Sequence, residues 1–214
     1  MKPIVMRNES SEPTRAKAVS MNISADYSSL KGVVVDPRTG VSLHPLLDWD
    51  DEKGEARFAK THINIYTGGK SRLGRLATNH SNVTINHPLF GAFRTLEGLW
   101  YWLRAGKEKA PDWLRVVSGA QARKEGKLLP VVFNDHFQRE FKMGIVAKLN
   151  ESYELRKLLK ESTLPLVHYY YYSGRDAEDV TIRQPKGHEW QMIFWEEMRI
   201  LLKADKALPT EIDD

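Results

Sequence analysis

The residues best placed to do chemistry lie in the stretch Arg94-Thr95-Leu96-Glu97-Gly98-Leu99-Trp100-Tyr101-Trp102-Leu103-Arg104. Leu96, Leu99, Trp100 and Leu103 recur at helical spacing and form one apolar stripe. Thr95 suits the N-cap, which puts Glu97 in the first turn. Glu97 then falls on the same flank of the stripe as Tyr101 and Arg104. A carboxylate, a guanidinium and aromatic rings share the border between buried and wetted surface there, a suitable wall for a small polar ligand. A first-turn carboxylate also has a purely structural use, because it meets the helix dipole with a gain of about 0.3–1 kcal/mol. The order of the surrounding segments bears on which use Glu97 has.

Other constellations are weaker or missing. Thr67-Gly68-Gly69-Lys70-Ser71-Arg72-Leu73-Gly74-Arg75 is glycine-rich and basic, but it lacks the G-x-x-x-x-G-K-[ST] spacing of a P-loop. Two readings stand side by side: a flexible basic loop, or a loop whose Lys70, Arg72 or Arg75 meets a ligand phosphate. The seven histidines show no H-x-x-x-H pair, and the absence of cysteine removes disulfides, thiolate metal sites and thiol nucleophiles. No G-x-S-x-G elbow and no G-x-G-x-x-G turn occurs. No helix with clustered Arg and Asn stands out as a DNA-recognition element. The net charge of +4 is spread along the chain, which mildly favours an anionic ligand or nucleic acid.

The elements that must position these residues follow from periodicity. The 214 residues, 41% hydrophobic and 28% charged, suit one good core with an extension. Residues 1–30 read as a mobile or loosely docked arm, Gly32–Leu43 as a β-hairpin around Pro37 and Gly40, and Asp48–Lys53 as a loop. His62–Tyr66 alternates as a strand with one buried face, and Val83 and Ile85 alternate again. Pro111 opens a helix carrying Trp113, Leu114 and Val117 that runs to Lys127. A longer helix with Phe137, Phe141, Ile145 and Leu149 is capped by Asn134 or Asp135, and the next, with Leu155, Leu158 and Leu159, by Asn150. Leu164–Tyr172 reads as one strand, with Tyr169 and Tyr171 on one face and His168, Tyr170 and Tyr172 on the other. The hydroxyls need partners, so one row lines a cleft or an interface. The polar stretch to Gly187 reads as a lid-like loop, and His188–Lys203 as a well-buried helix.

Three segments in this order resemble the NADAR family, also known from riboflavin-intermediate N-glycosidases. They are His62-Ile63-Asn64-Ile65-Tyr66, Leu76-Ala77-Thr78-Asn79-His80 and Thr95-Leu96-Glu97-Gly98-Leu99-Trp100. The family pattern is a strand ending in Phe-Tyr, then Ser-Asn-Phe, then Ser-Glu-His-Tyr-Phe-Gln opening a helix. Ala122–Lys127 is similar to its Ala-x-x-x-Gly-Arg turn, and Ala147-Lys148-Leu149 with Glu154–Leu159 to its Ala-Lys-Phe and Glu-Leu-Arg-x-Leu-Leu pair. Leu164–Val167 and Trp195–Arg199 resemble its last strand and last helix. Gly98 stands where the family has His, Tyr101 where it has Gln, and Tyr171–Asp176 covers its Tyr-Trp-Gly-Asp-Gly only loosely.

The resemblance implies a helix-dominated α+β domain over 61–205, preceded by a small β-rich extension (1–60) and followed by an acidic tail (206–214). It implies hydrolysis of an N-glycosidic bond in a phosphoribosyl or ADP-ribosyl compound, either a riboflavin-pathway intermediate or ADP-ribosylated guanine in nucleic acid. Glu97 and Asp176 take the catalytic places. Tyr66, Lys70, Arg75, Asn79, Trp100, Arg104 and Tyr172 take the substrate-binding places. No metal or redox cofactor is implied, and no membrane partner; a cytoplasmic enzyme is the expectation. Two rivals come from other classes: a binding module for a nucleotide sugar or nucleic acid that has kept the cleft without turnover, and an interaction protein using the Tyr169–Tyr172 strand.

Overall fold

The computed structural model describes residues 34–43, 61–173 and 180–213, with the backbone alone at 172, 173 and 180. The expected N-terminal arm, the Asp48–Lys53 loop and Asp176 lie outside the described residues. The architecture is α+β and helix-dominated. In chain order the strands are β1 (Val34–Val35), β2 (Ser42–Leu43), β3 (Ile63–Asn64), β4 (Ile85–His87), β5 (Gly91–Phe93), β6 (Leu166–Val167), β7 (Tyr170–Ser173) and β8 (Val180–Arg183). The helices are α1 (Arg72–Ala77), α2 (Leu96–Arg104), α3 (Gly119–Gly126), α4 (Phe137–Glu151), α5 (Tyr153–Glu161) and α6 (Glu189–Lys203). Among the described residues, no helix is long and apolar enough to cross a membrane.

The strands pair only two by two: β1 with β2, β4 with β5 and β7 with β8 antiparallel, β3 with β6 parallel. Such short pairs leave backbone groups that must be satisfied by other means. Around β6, side chains supply the partners. Asn64 Nδ2 donates to Tyr169 O and Asn64 Oδ1 accepts from Tyr169 N, both at 3.1 Å. Glu196 Oε1 accepts from Leu166 N at 3.0 Å, and Arg199 donates to Leu164 O at 2.6 Å while pairing with Glu196. This capture of the backbone by side chains divides the expected Leu164–Tyr172 strand into β6 and β7, because residues 168–169 bond to Asn64 and Ile65 rather than to a ladder.

α2 is the centre of the main core. Leu96, Leu99 and Leu103 are fully buried, and Thr95 caps the helix by accepting from Gly98 N at 3.1 Å. Its neighbours approach closely because three glycines lack a Cβ. A Cβ at Gly98 would stand 2.2 Å from Leu114 O, one at Gly126 2.4 Å from the Tyr101 ring, and one at Gly144 2.4 Å from Leu99 Cδ2. A smaller second core unites Val34, Val167, Tyr169 and Ile182 beneath β1, β2, β7 and β8. In the 206–213 tail, Leu208 and Ile212 pack on the main core.

Several boundaries differ from the sequence reading. The Pro111–Lys127 helix is two elements, a 3₁₀ turn (Asp112–Arg115) and α3, which Ser118 caps by accepting from Gln121 N. Ser152, not Asn150, caps α5. The first residue of α4 follows His136, while Asn134 holds the turn before it through His136 N and Glu140. Part of the expected 173–187 loop is β8, whose Ile182 is buried in the second core. The last helix, read as well buried, nonetheless exposes Ile193 and Ile200.

The contact of Gly98 with a backbone carbonyl gives a direct test. Alanine is the better helix former by roughly 1 kcal/mol, yet a carbonyl 2.2 Å from the new methyl cannot yield cheaply. Gly98→Ala should therefore lower stability by about 1–3 kcal/mol, the usual cost of overpacking, read as a lower urea midpoint. A variant as stable as the parent or more so would refute the close approach.

Candidate active site

The cavity beside the start of α2 holds about 250 Å³, just under the roughly 300–1,000 Å³ of typical ligand pockets. It is open to solvent. Five structural pieces wall it: α2 with Glu97, Trp100, Tyr101 and Arg104; the turn Thr78-Asn79-His80; the end of β3 with Ile65, Tyr66 and Thr67; the β6–β7 junction with His168 and Tyr170; and the start of α6 with His188, Gln191 and Met192. Arg123 of α3 completes the lining.

Glu97 is buried, with its side chain at the cavity and Oε1 3.4 Å from His80 Nε2. Its backbone N–H donates to Asn79 O at 2.9 Å, which locks the 78–81 turn to the helix start. That turn is held from behind by Lys148 of α4, whose ammonium is fully buried and donates to Thr78 O at 2.7 Å and Ser81 Oγ at 2.6 Å. Loss of water around the ammonium brings its pKa down to about 7. Asn79 Nδ2 lies 3.4 Å from Gln191 Oε1, and Gln191 Nε2 3.2 Å from His188 Nδ1, so a polar chain crosses from the turn to α6.

The remaining walls are aromatic and cationic. Tyr66 and Tyr170 meet edge to face at 5.4 Å, and Tyr170 meets His168 at 4.9 Å. The Arg123 guanidinium lies over the Tyr170 ring at 5.3 Å, and that of Arg104 over Tyr101 at 5.4 Å. Burial, with Glu97 adding to it, raises the Tyr101 phenol, so it stays protonated. His168 Nδ1 donates to Ile65 O at 2.7 Å, and burial lowers its pKa to about 4. Burial also lowers His188, against the opposing pull of Glu189 and Glu97.

Of the residues singled out in sequence, Tyr66, Asn79, Glu97, Trp100 and Arg104 meet at this one cavity. Trp100 is nearly parallel to His188 and Trp190 and edge-on to Phe137 and Phe141, so its ring is largely taken up by protein contacts rather than offered to a base. Lys70 and Arg75 do not line the cavity. Arg75 donates to the carbonyls of Gly69 and Lys70 and clasps its own loop. The glycines of that loop serve close packing: a Cβ at Gly69 or Gly74 would lie 2.6 or 2.2 Å from Asn64 O. Tyr172 pairs with Thr181 in the β7–β8 ladder; its side chain and Asp176 lie outside the described residues. Sequence reasoning missed His80, Arg123, His188 and Gln191. Only His80 carried a local signal, as the neighbour of Asn79 in the same turn. Among the described residues, no three His, Asp or Glu side chains are grouped to hold a metal ion.

No family model matches the chain, and no curated protein matches it in sequence. In the comparison of folds, 72% of the chain is similar to 91% of the NMR structure of the E. coli protein YbiA, with a TM-score of 0.48 and 19% identity.

The buried ammonium sets a pH dependence. The Lys148 pKa is about 7 when folded and 10.5 when unfolded, so the unfolded chain binds the extra proton between those values. Stability from this group therefore rises as pH increases from about 7 to 10.5. Denaturant titrations of wild type and Lys148→Met across that range should diverge in this direction. Parallel pH curves would show that the ammonium is not desolvated.

Proposed function

We propose that this chain is an N-glycoside hydrolase acting on a phosphoribosyl or ADP-ribosyl compound, with a riboflavin-pathway ribosylamine phosphate or ADP-ribosyl-guanine as the substrate class. The observation that carries the proposal is the meeting of Glu97, Asn79, Tyr66 and Arg104 at one cavity. They come from three successive segments, the end of β3, the 78–81 turn and α2, and the resemblance to the NADAR family gives Glu97 the catalytic place and the other three substrate-binding places. Cleavage of an N-glycosidic bond develops positive charge on the ribose ring, and a carboxylate beside C1 stabilises that charge or orients the attacking water. Glu97 has that role. Its low exposure suits it, because opposite charges attract more strongly where water is scarce.

Arg104 and Arg123, on two helices that wall the same cavity, bind the substrate phosphate, a task for which a planar guanidinium is well shaped. Arg123 takes the place first given to Lys70 and Arg75. Tyr66 and Tyr170 offer ring surface to the base, Asn79 offers an amide to the ribose hydroxyls, and Tyr172 is kept as a substrate-binding residue. Asp176 is kept as the second acidic group. Nucleic acid enters only as the carrier of a modified guanine.

A second reading has an observation of its own. Gly98 replaces the family's His, and its contact with Leu114 O leaves no room for a side chain there. The same aromatic and cationic lining then serves a module that binds nucleotide sugars without turnover.

Product assays on ADP-ribosyl-guanine DNA and on a ribosylaminopyrimidine phosphate, run beside calorimetry with ADP-ribose, separate the two. The hydrolase reading expects turnover by wild type and a fall in kcat of about 10²–10⁴-fold in Glu97→Gln. It expects Arg123→Ala mainly to raise KM. Binding without product by the wild type supports the module instead, and equal rates for wild type and Glu97→Gln remove Glu97 from the mechanism.

A further inference from the structure

Among the described residues, Glu97 by itself leaves one part of the proposed reaction unserved. A neutral amine departs from C1 as an anion unless its nitrogen gains a proton as the bond breaks, so the cavity needs an acid. Three imidazoles line it: His80, His168 and His188. Two of them are held neutral near pH 7. His168 spends its Nδ1 proton on Ile65 O in a buried setting that lowers its pKa to about 4. His188 accepts from Gln191 at Nδ1, and burial lowers it as well. His80 differs in kind, because its Nε2 lies 3.4 Å from the Glu97 carboxylate.

The place of His80 is built rather than incidental. A Cβ at Gly119, the first residue of α3, would stand 2.5 Å from His80 Cα, so the helix abuts the turn directly. Lys148 anchors the same turn at Thr78 and Ser81, and Glu97 N binds the Asn79 carbonyl beside it. Acid and carboxylate are thus fixed to one another through backbone and not only through their side chains. The other charged or titratable side chains on the cavity walls are His168, His188, Tyr66, Tyr101, Tyr170, Arg104 and Arg123.

We infer that His80 is the catalytic acid of this cavity, protonating the departing nitrogen, and that Glu97 returns the proton to it. The inference rests on the hydrolase reading above. In the first half, the C1–N bond breaks, its electron pair goes to nitrogen, and the proton on His80 Nε2 passes to that nitrogen. In the second, water forms the O–C1 bond and gives a proton to Glu97. Transfer of that proton across the 3.4 Å between Glu97 Oε1 and His80 Nε2 restores both groups. The sum is addition of one water molecule across the bond, with no other reactant.

The test compares two ribosyl 5-phosphates. A ribosylaminopyrimidine has a leaving group that needs a proton, whereas the pyridinium of nicotinamide mononucleotide leaves as a neutral molecule without one. Wild type, Glu97→Gln, His80→Gln and His80→Ala with and without added imidazole are assayed against pH, and melting curves with ADP-ribose titrations check folding and binding. On the aminopyrimidine, His80→Gln should lose about 100-fold or more in kcat and the alkaline limb of the pH profile, while imidazole restores part of the rate to His80→Ala. The loss on the pyridinium should be far smaller. Equal losses on both substrates, or an unchanged alkaline limb without imidazole rescue, would overturn the role of His80 while wild-type turnover and the Glu97→Gln loss stand. If wild type cleaves neither compound, the hydrolase reading falls first and this inference with it.

Discussion

An ammonium group stripped of water must find acceptors, and in this protein the acceptors that Lys148 finds are Thr78 O and Ser81 Oγ. Leaving such a group unbonded in the interior costs several kcal/mol, so the turn has little choice of conformation. The rest of the candidate site hangs on that choice. Fixing Thr78 and Ser81 aims Asn79 and His80, and the Asn79 carbonyl then receives the N–H of Glu97 in the first turn of α2. Helix α4 thereby acts on the placement of Glu97 through the backbone of the 78–81 turn. The arrangement is a relay of backbone hydrogen bonds, in which each partner removes a freedom from the next.

The same economy governs the strands. None of the described pairs has a third strand to complete it, and an isolated pair is marginal in water. Asn64, Glu196 and Arg199 compensate by bonding to the backbone of 164–169 as a neighbouring strand would. This explains why a glutamate and an arginine sit in the buried face of α6, where a side chain able to reach only apolar neighbours would leave β6 with open N–H and C=O groups. The wall of the cavity that carries His168 and Tyr170 is the continuation of this segment.

How far the sequence disclosed all this depends on the range of the interaction concerned. The stripe of α2, its Thr95 cap and the position of Glu97 in the first turn were legible because they involve residues three or four apart. The segment order also pointed to Asn79, Tyr66 and Arg104 as neighbours of Glu97. Arg123, His188 and Gln191 left no trace, since a single chain does not say which helix ends converge. Lys70 and Arg75 misled for a related reason: glycine and basic residues together suggest an anion cradle, but here Gly69 and Gly74 exist to let the loop press on Asn64 O. The break of the tyrosine strand was equally hidden, because it depends on an asparagine about a hundred residues away in sequence.

The described residues hold two hydrophobic cores of very unequal size. Helix α2, which carries Glu97, packs in the larger, whereas Tyr169, just before β7, lies in a cluster of four buried residues with Ile182 of β8. Cooperative units of a fold come apart in order of the apolar area that each holds down. Amide protons of 170–173 and 180–183 should thus exchange through excursions too small to disturb α2 or α4, which exchange only with global unfolding. A hollow bounded by one durable jaw and one yielding jaw can widen at its mouth while the Glu97 carboxylate on its other side stays in register.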